Sequence, residues 1–148
     1  MSIRTYLFAS CVAASMMFTL PVTAQTPAAV APRSGHTIVV KLVDRPDQAK
    51  RYGFDPAAFT AERGDTIEFV QAANVMHNVH FQKQPLGANL GRAAVSRYLS
   101  TKGQTYDIVI DSRFADGSYD IVCDPHSMMG MRAILTVDEP ASPGSTHR

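Results

Sequence analysis

The sequence predicts an all-β domain built as two packed antiparallel sheets, and three observations predict it. Short runs rich in β-branched and aromatic residues recur along the chain, Gly, Pro or Asp punctuates most of the gaps, and several runs alternate apolar with polar residues. A period of two puts one side of a strand in a core and the other in water, as each layer of a two-sheet sandwich requires. A length of 148 residues with 45% hydrophobic content suits one ordinary domain and argues against disorder. With 14 Lys and Arg against 13 Asp and Glu, and no basic run of five or more, nucleic-acid binding is not expected.

Residues 1–24 read as a signal peptide and are set aside from the fold. Arg4 supplies the positive start, Tyr6 to Leu20 the apolar stretch, and Val22-Thr23-Ala24 the small residues before a cut at Gln25. The stretch is too short to span a bilayer comfortably, so export and cleavage to the periplasm are expected, with no membrane span in the mature protein. Phe8-Ala9-Ser10-Cys11 loosely resembles a lipoprotein cleavage site, a rival reading in which Cys11 carries the lipid. Cleavage at Gln25 leaves Cys123 as the sole cysteine, and a solitary thiol in an oxidising compartment calls for a reason. A buried small hydrophobe is the plain one.

Residues 25–35 read as a flexible leader, 36–138 as the domain and 139–148 as a disordered tail. Within the domain, strands are expected at 36–43, 65–71, 77–82, 104–111, 117–123 and 132–138. In Thr66-Ile67-Glu68-Phe69-Val70 the apolar Ile67 and Phe69 share a face, and Tyr106, Ile108 and Ile110 share another. In the run from His77, alternation groups His77, Val79 and Phe81 on the core side and turns His80 outward beside Asn78, as a solvated histidine. The Ala and Leu spacing of 86–100 allows one short helix.

Chemistry concentrates between Cys123 and Met131. A strand ends at Cys123, a turn built on Pro125 follows, and a second strand begins after Met131, so one hairpin end gathers a thiol, the His126 imidazole and several thioethers. Met76-His77-Asn78-Val79-His80 brings a further imidazole to the mouth of another strand. Donors of the types Cys, His, His and Met suit copper: the soft sulfurs favour Cu(I), imidazole also serves Cu(II), and a His2Cys set with a weak axial Met is the blue-copper arrangement. One Cys with a thioether makes a poor zinc cage, no Cys-x-x-Cys-His offers haem attachment, and an iron–sulfur cluster needs more cysteines. A Cys–His nucleophile is conceivable, yet no orienting acid or oxyanion hole accompanies Cys123 and His126, and an enzyme is not expected.

These residues resemble a small type 1 copper protein, a cupredoxin of the plastocyanin, pseudoazurin and amicyanin group, over roughly residues 36–138. The resemblance rests on Phe54, Pro56, Gly64, Asp65 and Phe69 in order, on Met76-His77-Asn78-Val79, on Lys102-Gly103-Gln104-Thr105-Tyr106, and above all on Cys123-x2-His126-x4-Met131 with Pro125 before the histidine. It implies a Greek-key β-sandwich of about seven to eight strands holding one copper ion. His77, Cys123 and His126 would be its equatorial ligands. Met131 would be the axial ligand, because Leu135-Thr136-Val137 starts four residues after it; Met129 and Met128 have the shorter spacings. Asn78 would tie the two ligand loops together. Met76 stands where the family commonly has Pro, and Ala133 where it often has Gly.

The function implied is single-electron transport between redox partners by a monomer. Partners such as a cytochrome or a copper or haem reductase would dock transiently near His126. From Gln82 to Gln104 the cations Lys83, Arg92, Arg97 and Lys102 meet no carboxylate, which would steer an acidic partner. The alternative is a periplasmic copper-binding or copper-tolerance protein that buffers, carries or oxidises copper, suggested by the spare His80, Met76, Met128 and Met129.

Overall fold

The computed structural model describes residues 35–46 and 48–138. The stretch read as a signal peptide, nearly all of that read as a leader and all of that read as a tail lie outside the described residues. Eight strands form: β1 (Thr37–Asp44), β2 (Tyr52–Asp55), β3 (Ala58–Glu62), β4 (Thr66–Gln71), β5 (His80–Lys83), β6 (Thr105–Val109), β7 (Gly117–Val122) and β8 (Arg132–Asp138). They make two four-stranded sheets, ordered β2-β1-β4-β6 and β3-β8-β7-β5. From β2 to β7 each successive strand changes sheet, while β1–β2 and β7–β8 are antiparallel neighbours within one sheet.

Three expectations change. The sheets are mixed, because β1 pairs with β4 and β3 with β8 in parallel, alongside the antiparallel pairs. A parallel pair needs a crossover, and here the chain crosses between layers to supply it. Two strands, β2 and β3, occupy the stretch around Pro56 where none was read, each at a sheet edge and only four and five residues long. Over 86–100 the helix is reduced to one 3-10 turn at Gly91–Ala94, and a second such turn spans Asp124–Met129. No helix among the described residues is long and apolar enough to cross a membrane.

The core follows the alternation. Val40 and Leu42 of β1, Ile67 and Phe69 of β4, Tyr119 and Ile121 of β7, and Leu135 and Val137 of β8 are buried together with Phe54, Phe81 and Phe114. Phe69 sits edge-on to both Phe54 and Phe81, with centroids 6.2 Å away, so aromatic rings join the two sheets. Each such side chain contributes roughly 1.5–3 kcal/mol by leaving water, and an edge-to-face pair about 0.5–1.5 kcal/mol more. This core supports one end of the sandwich, where the segments entering β5 and joining β7 to β8 meet.

Candidate metal centre

Two segments build the site, and backbone pairing fixes both. β5 lies antiparallel to β7 with His80 opposite Val122 and a bulge between Phe81 and Lys83, which brings the residues before β5 beside the end of β7. Ahead of β5, His77 exchanges backbone hydrogen bonds with Leu99, its N–H donating over 3.1 Å and its carbonyl accepting over 2.8 Å. The buried Gln71 side chain donates to the carbonyls of Val75 (2.6 Å) and Leu99 (2.9 Å), fastening the loop that delivers His77. Ser96 accepts from the Val79 N–H at 2.9 Å. His77 is thereby fully buried, as expected, with Val79 and Phe81. Asn78, expected to face outward with His80, is buried as well, because β5 begins only at His80 and alternation does not govern the residues before it.

The second segment is the 3-10 turn from Asp124 to Met129, begun by Pro125 and closed by Gly130 in the left-handed conformation at φ +84°. Its backbone folds back on itself. The His126 N–H donates to the Cys123 carbonyl (3.0 Å), the Met131 N–H to the His126 carbonyl (3.1 Å) and the Cys123 N–H to the Met131 carbonyl (3.3 Å). Cys123 and Met131 are buried, whereas His126 is half-exposed. Met128 and Met129 point into solvent, 94% and 58% exposed, so of the three thioethers on this segment Met131 alone lies in the core.

Three of the four side chains predicted from sequence, His77, Cys123 and His126, come together as a group. The His77 Nδ1 lies 3.5 Å from the Cys123 Sγ, the His126 Nδ1 3.4 Å from the same sulfur, and the two Nδ1 atoms are 3.0 Å apart. Among the described residues these three form the one cluster of His, Cys or acidic side chains placed to hold a metal ion. Donors each about 2.0–2.3 Å from a common ion stand roughly 3–4 Å from one another, the spacing found here.

Electrostatics suit a soft cation. Burial lowers the His77 pKa to about 4, with His126 adding to the depression and Asp44 opposing it. Burial also lowers His126, so both imidazoles present neutral lone pairs. Burial raises the Cys123 thiol, against which the backbone N–H groups of Asn78 and His126 act. A thiolate here needs a partner of opposite charge, and a metal ion is one.

Residues around the donors fall into three groups. Asn78, buried, gives its side-chain N–H to Asp124 (2.7 Å) and accepts the Asp124 backbone N–H (2.8 Å), tying the loops as expected, though through Asp124. His80 is not simply solvated: its Nδ1 meets the other Asp124 oxygen at 2.7 Å. That contact comes first among the causes that lower the Asp124 pKa. Tyr52 packs its ring on His126 at 4.1 Å and edge-on to His77 at 5.6 Å. Sequence reasoning did not single out Tyr52 as a site residue. It also passed over Asp44, whose Oδ1 lies 3.8 Å from the His77 Nε2. An acid closing the β-branched run Thr37–Asp44 was the one available signal, and it reads equally well as a turn residue.

Comparison with known proteins agrees with this picture. Residues 39–138 match the family of copper-binding proteins described as the plastocyanin/azurin family. The chain is 37% identical over 86 residues to plastocyanin from Ulva prolifera, covering 57% of this chain and 85% of that protein. It is 32% identical over 87 residues to plastocyanin A/B from Petroselinum crispum, covering 57% and 87%. Among solved structures, oxidised plastocyanin from Dryopteris crassirhizoma superposes with a TM-score of 0.56 at 25% identity, over 68% of this chain and all of that one.

Proposed function

The chain belongs to the plastocyanin/azurin family of copper-binding proteins, with copper as its cofactor, and from that premise we propose that it carries single electrons between redox partners. In this reading His77, Cys123 and His126 would hold the ion, and the buried Met131 thioether would supply a weaker fourth donor. The observation that carries it is the convergence of two imidazole Nδ1 atoms and one thiol sulfur within 3.5 Å of each other, with His77 and Cys123 buried and His126 at the rim.

When bound, copper supplies a one-electron couple between Cu(I) and Cu(II). The chain's own residues hold the donors still. The Gln71 and Leu99 contacts fix His77, the backbone bonds of the turn fix Cys123, His126 and Met131, and the Asn78–Asp124 pair locks one set to the other. A site tied on all sides rearranges little on a change of charge. Cys123, His77 and Asp44 stand in the order thiol, imidazole, carboxylate, but the sulfur is fully buried between two imidazoles and out of a substrate's reach, which supports a carrier in place of an enzyme.

Of the three clustered donors, His77 and Cys123 are buried and His126 reaches the surface, on the same turn as the exposed Met128 and Met129. This apolar rim is the surface proposed for transient docking of a redox protein. Lys83 is drawn to Asp120 at 3.5 Å, while Arg92, Arg97 and Lys102 stand exposed. An acidic partner is therefore proposed, with an association rate that falls as salt rises. Export to the periplasm is part of the proposal and rests on the signal sequence read at residues 1–24.

Copper titration tests the reading. One ion should bind tightly and give an intense thiolate-to-copper charge-transfer band, and Cys123→Ser should lose the band while its circular dichroism remains that of a β-sandwich. A band retained in the serine variant refutes the ligand assignment. A second tightly held Cu(I), lost on changing His80 or Met128 to Ala, would move the protein to copper handling.

A further inference from the structure

The far side of the His77 ring holds an unexplained contact. With Nδ1 facing Cys123 and His126, the ring turns its Nε2 into the protein, where it is buried and has no hydrogen-bond partner. The Asp44 Oδ1 opposite is likewise buried and unpartnered, and these two orphaned atoms stand 3.8 Å apart. The other Asp44 oxygen accepts the Asn74 backbone N–H at 3.0 Å, which anchors the carboxylate in the loop leading to His77. Buried polar atoms without partners are uncommon, and a pair aimed at each other within ion-pair range is one interaction drawn slightly open.

We infer that Asp44 is a positioning residue for the metal site: its carboxylate accepts the His77 Nε2–H, fixes the tautomer that leaves Nδ1 free to bind, and places a negative charge behind that ligand. The inference rests on the proposed copper ligation by His77 and extends it. A histidine that binds metal through one nitrogen ordinarily donates its other N–H to a carboxylate, carbonyl or water, and this partner sets ring orientation and ligand basicity. A carboxylate differs from a carbonyl in carrying a full charge, which favours Cu(II) over Cu(I). Arg51 and Lys102 line the same cleft as Asp44 and offset part of that charge from the solvent side. The effect on the couple is accordingly moderate.

Two measurements test this. In the metal-free protein, the nitrogen shifts of the His77 ring should report the Nε2–H tautomer, and Asp44→Asn should weaken that preference. In the copper-loaded protein, Asp44→Asn should raise the Cu(I) to Cu(II) ratio at a fixed solution potential about tenfold, a rise of about 59 mV for a one-electron couple. An Nδ1–H tautomer in the unmutated metal-free protein overturns the inference. So does a coloured Asp44→Asn protein whose ratio is unchanged, since a purely structural aspartate would cost stability and leave the potential alone. Should the unmutated protein bind no coloured copper, the proposed function fails, and the tautomer measurement still decides the Asp44 contact. If the asparagine variant does not fold, the same tautomer measurement decides it.

Discussion

Asn78 and Asp124 clasp each other by two hydrogen bonds, side-chain amide to carboxylate at 2.7 Å and backbone N–H to side-chain carbonyl at 2.8 Å. One follows His77 and the other follows Cys123, so the clasp joins both donor segments at their closest approach. Because Asn78 is buried, Asn78→Ala strands the Asp124 amide as well as losing a bond. The metal-free variant should lose about 1–3 kcal/mol of unfolding free energy in urea. Asp124→Asn keeps the backbone half of the clasp and should lose less.

Met131→Leu conserves volume in a fully buried position and should cost less than about 1.5 kcal/mol. If Met131 is the axial donor, the visible spectrum and the potential of the copper protein should both move. Met129→Leu, at a solvent-facing position, should leave both in place. The opposite pattern would hand the axial role to Met129.

Gly130 closes the ligand turn at φ +84°, and a methyl added there would meet nothing nearer than the flexible Lys50 side chain at 3.7 Å. Gly130→Ala therefore acts through backbone strain alone, about 1–2 kcal/mol for a left-handed residue. Strain between Met129 and Met131 should also shift the charge-transfer band. Chemical denaturation and the spectrum of one sample read both effects.

Asp65 gives a pH dependence away from the metal site. Burial favours its neutral form, yet the backbone N–H groups of Glu62 and His36 together with the His36 ring outweigh this and hold its pKa below the usual 3.8. A carboxylate depressed in the folded state adds stability above its unfolded pKa. That stability goes as pH falls through the lower, folded value. Asp65→Asn should thus cost about 1–3 kcal/mol at neutral pH. In acid unfolding, the gap from the unmutated protein should close below pH 4.

Much of this architecture was legible in the sequence, and the gaps have causes. The central strands β1, β4, β7 and β8 bury alternate residues over six or more positions, enough for the period to show. Edge strands β2 and β3 are too short for it and are split by Pro56, so no strand was read there. Parallel pairing of β1 with β4 left no local trace, because it depends on where the intervening chain runs. Cys123, His126 and Met131 stood out because their spacing is local, and His77 because Asn78 and Val79 follow it. Asp44 was missed because its proximity to His77 arises from the packing of β1 against the loop after β4, and no spacing encodes that.

The antiparallel zipper of β5 on β7 also governs when a metal can be captured. His80 opposite Val122 is the register that lays His77 beside Cys123, and a slip of one residue would turn one of the two away from the other. Before that register is set, His77 stands apart from the turn that carries Cys123, His126 and Met131, and an incoming ion meets an incomplete donor set. Selective loading should therefore lag behind the folding of the apoprotein, and a folding trace followed by copper colour should show a delay absent from one followed by β-sheet signal.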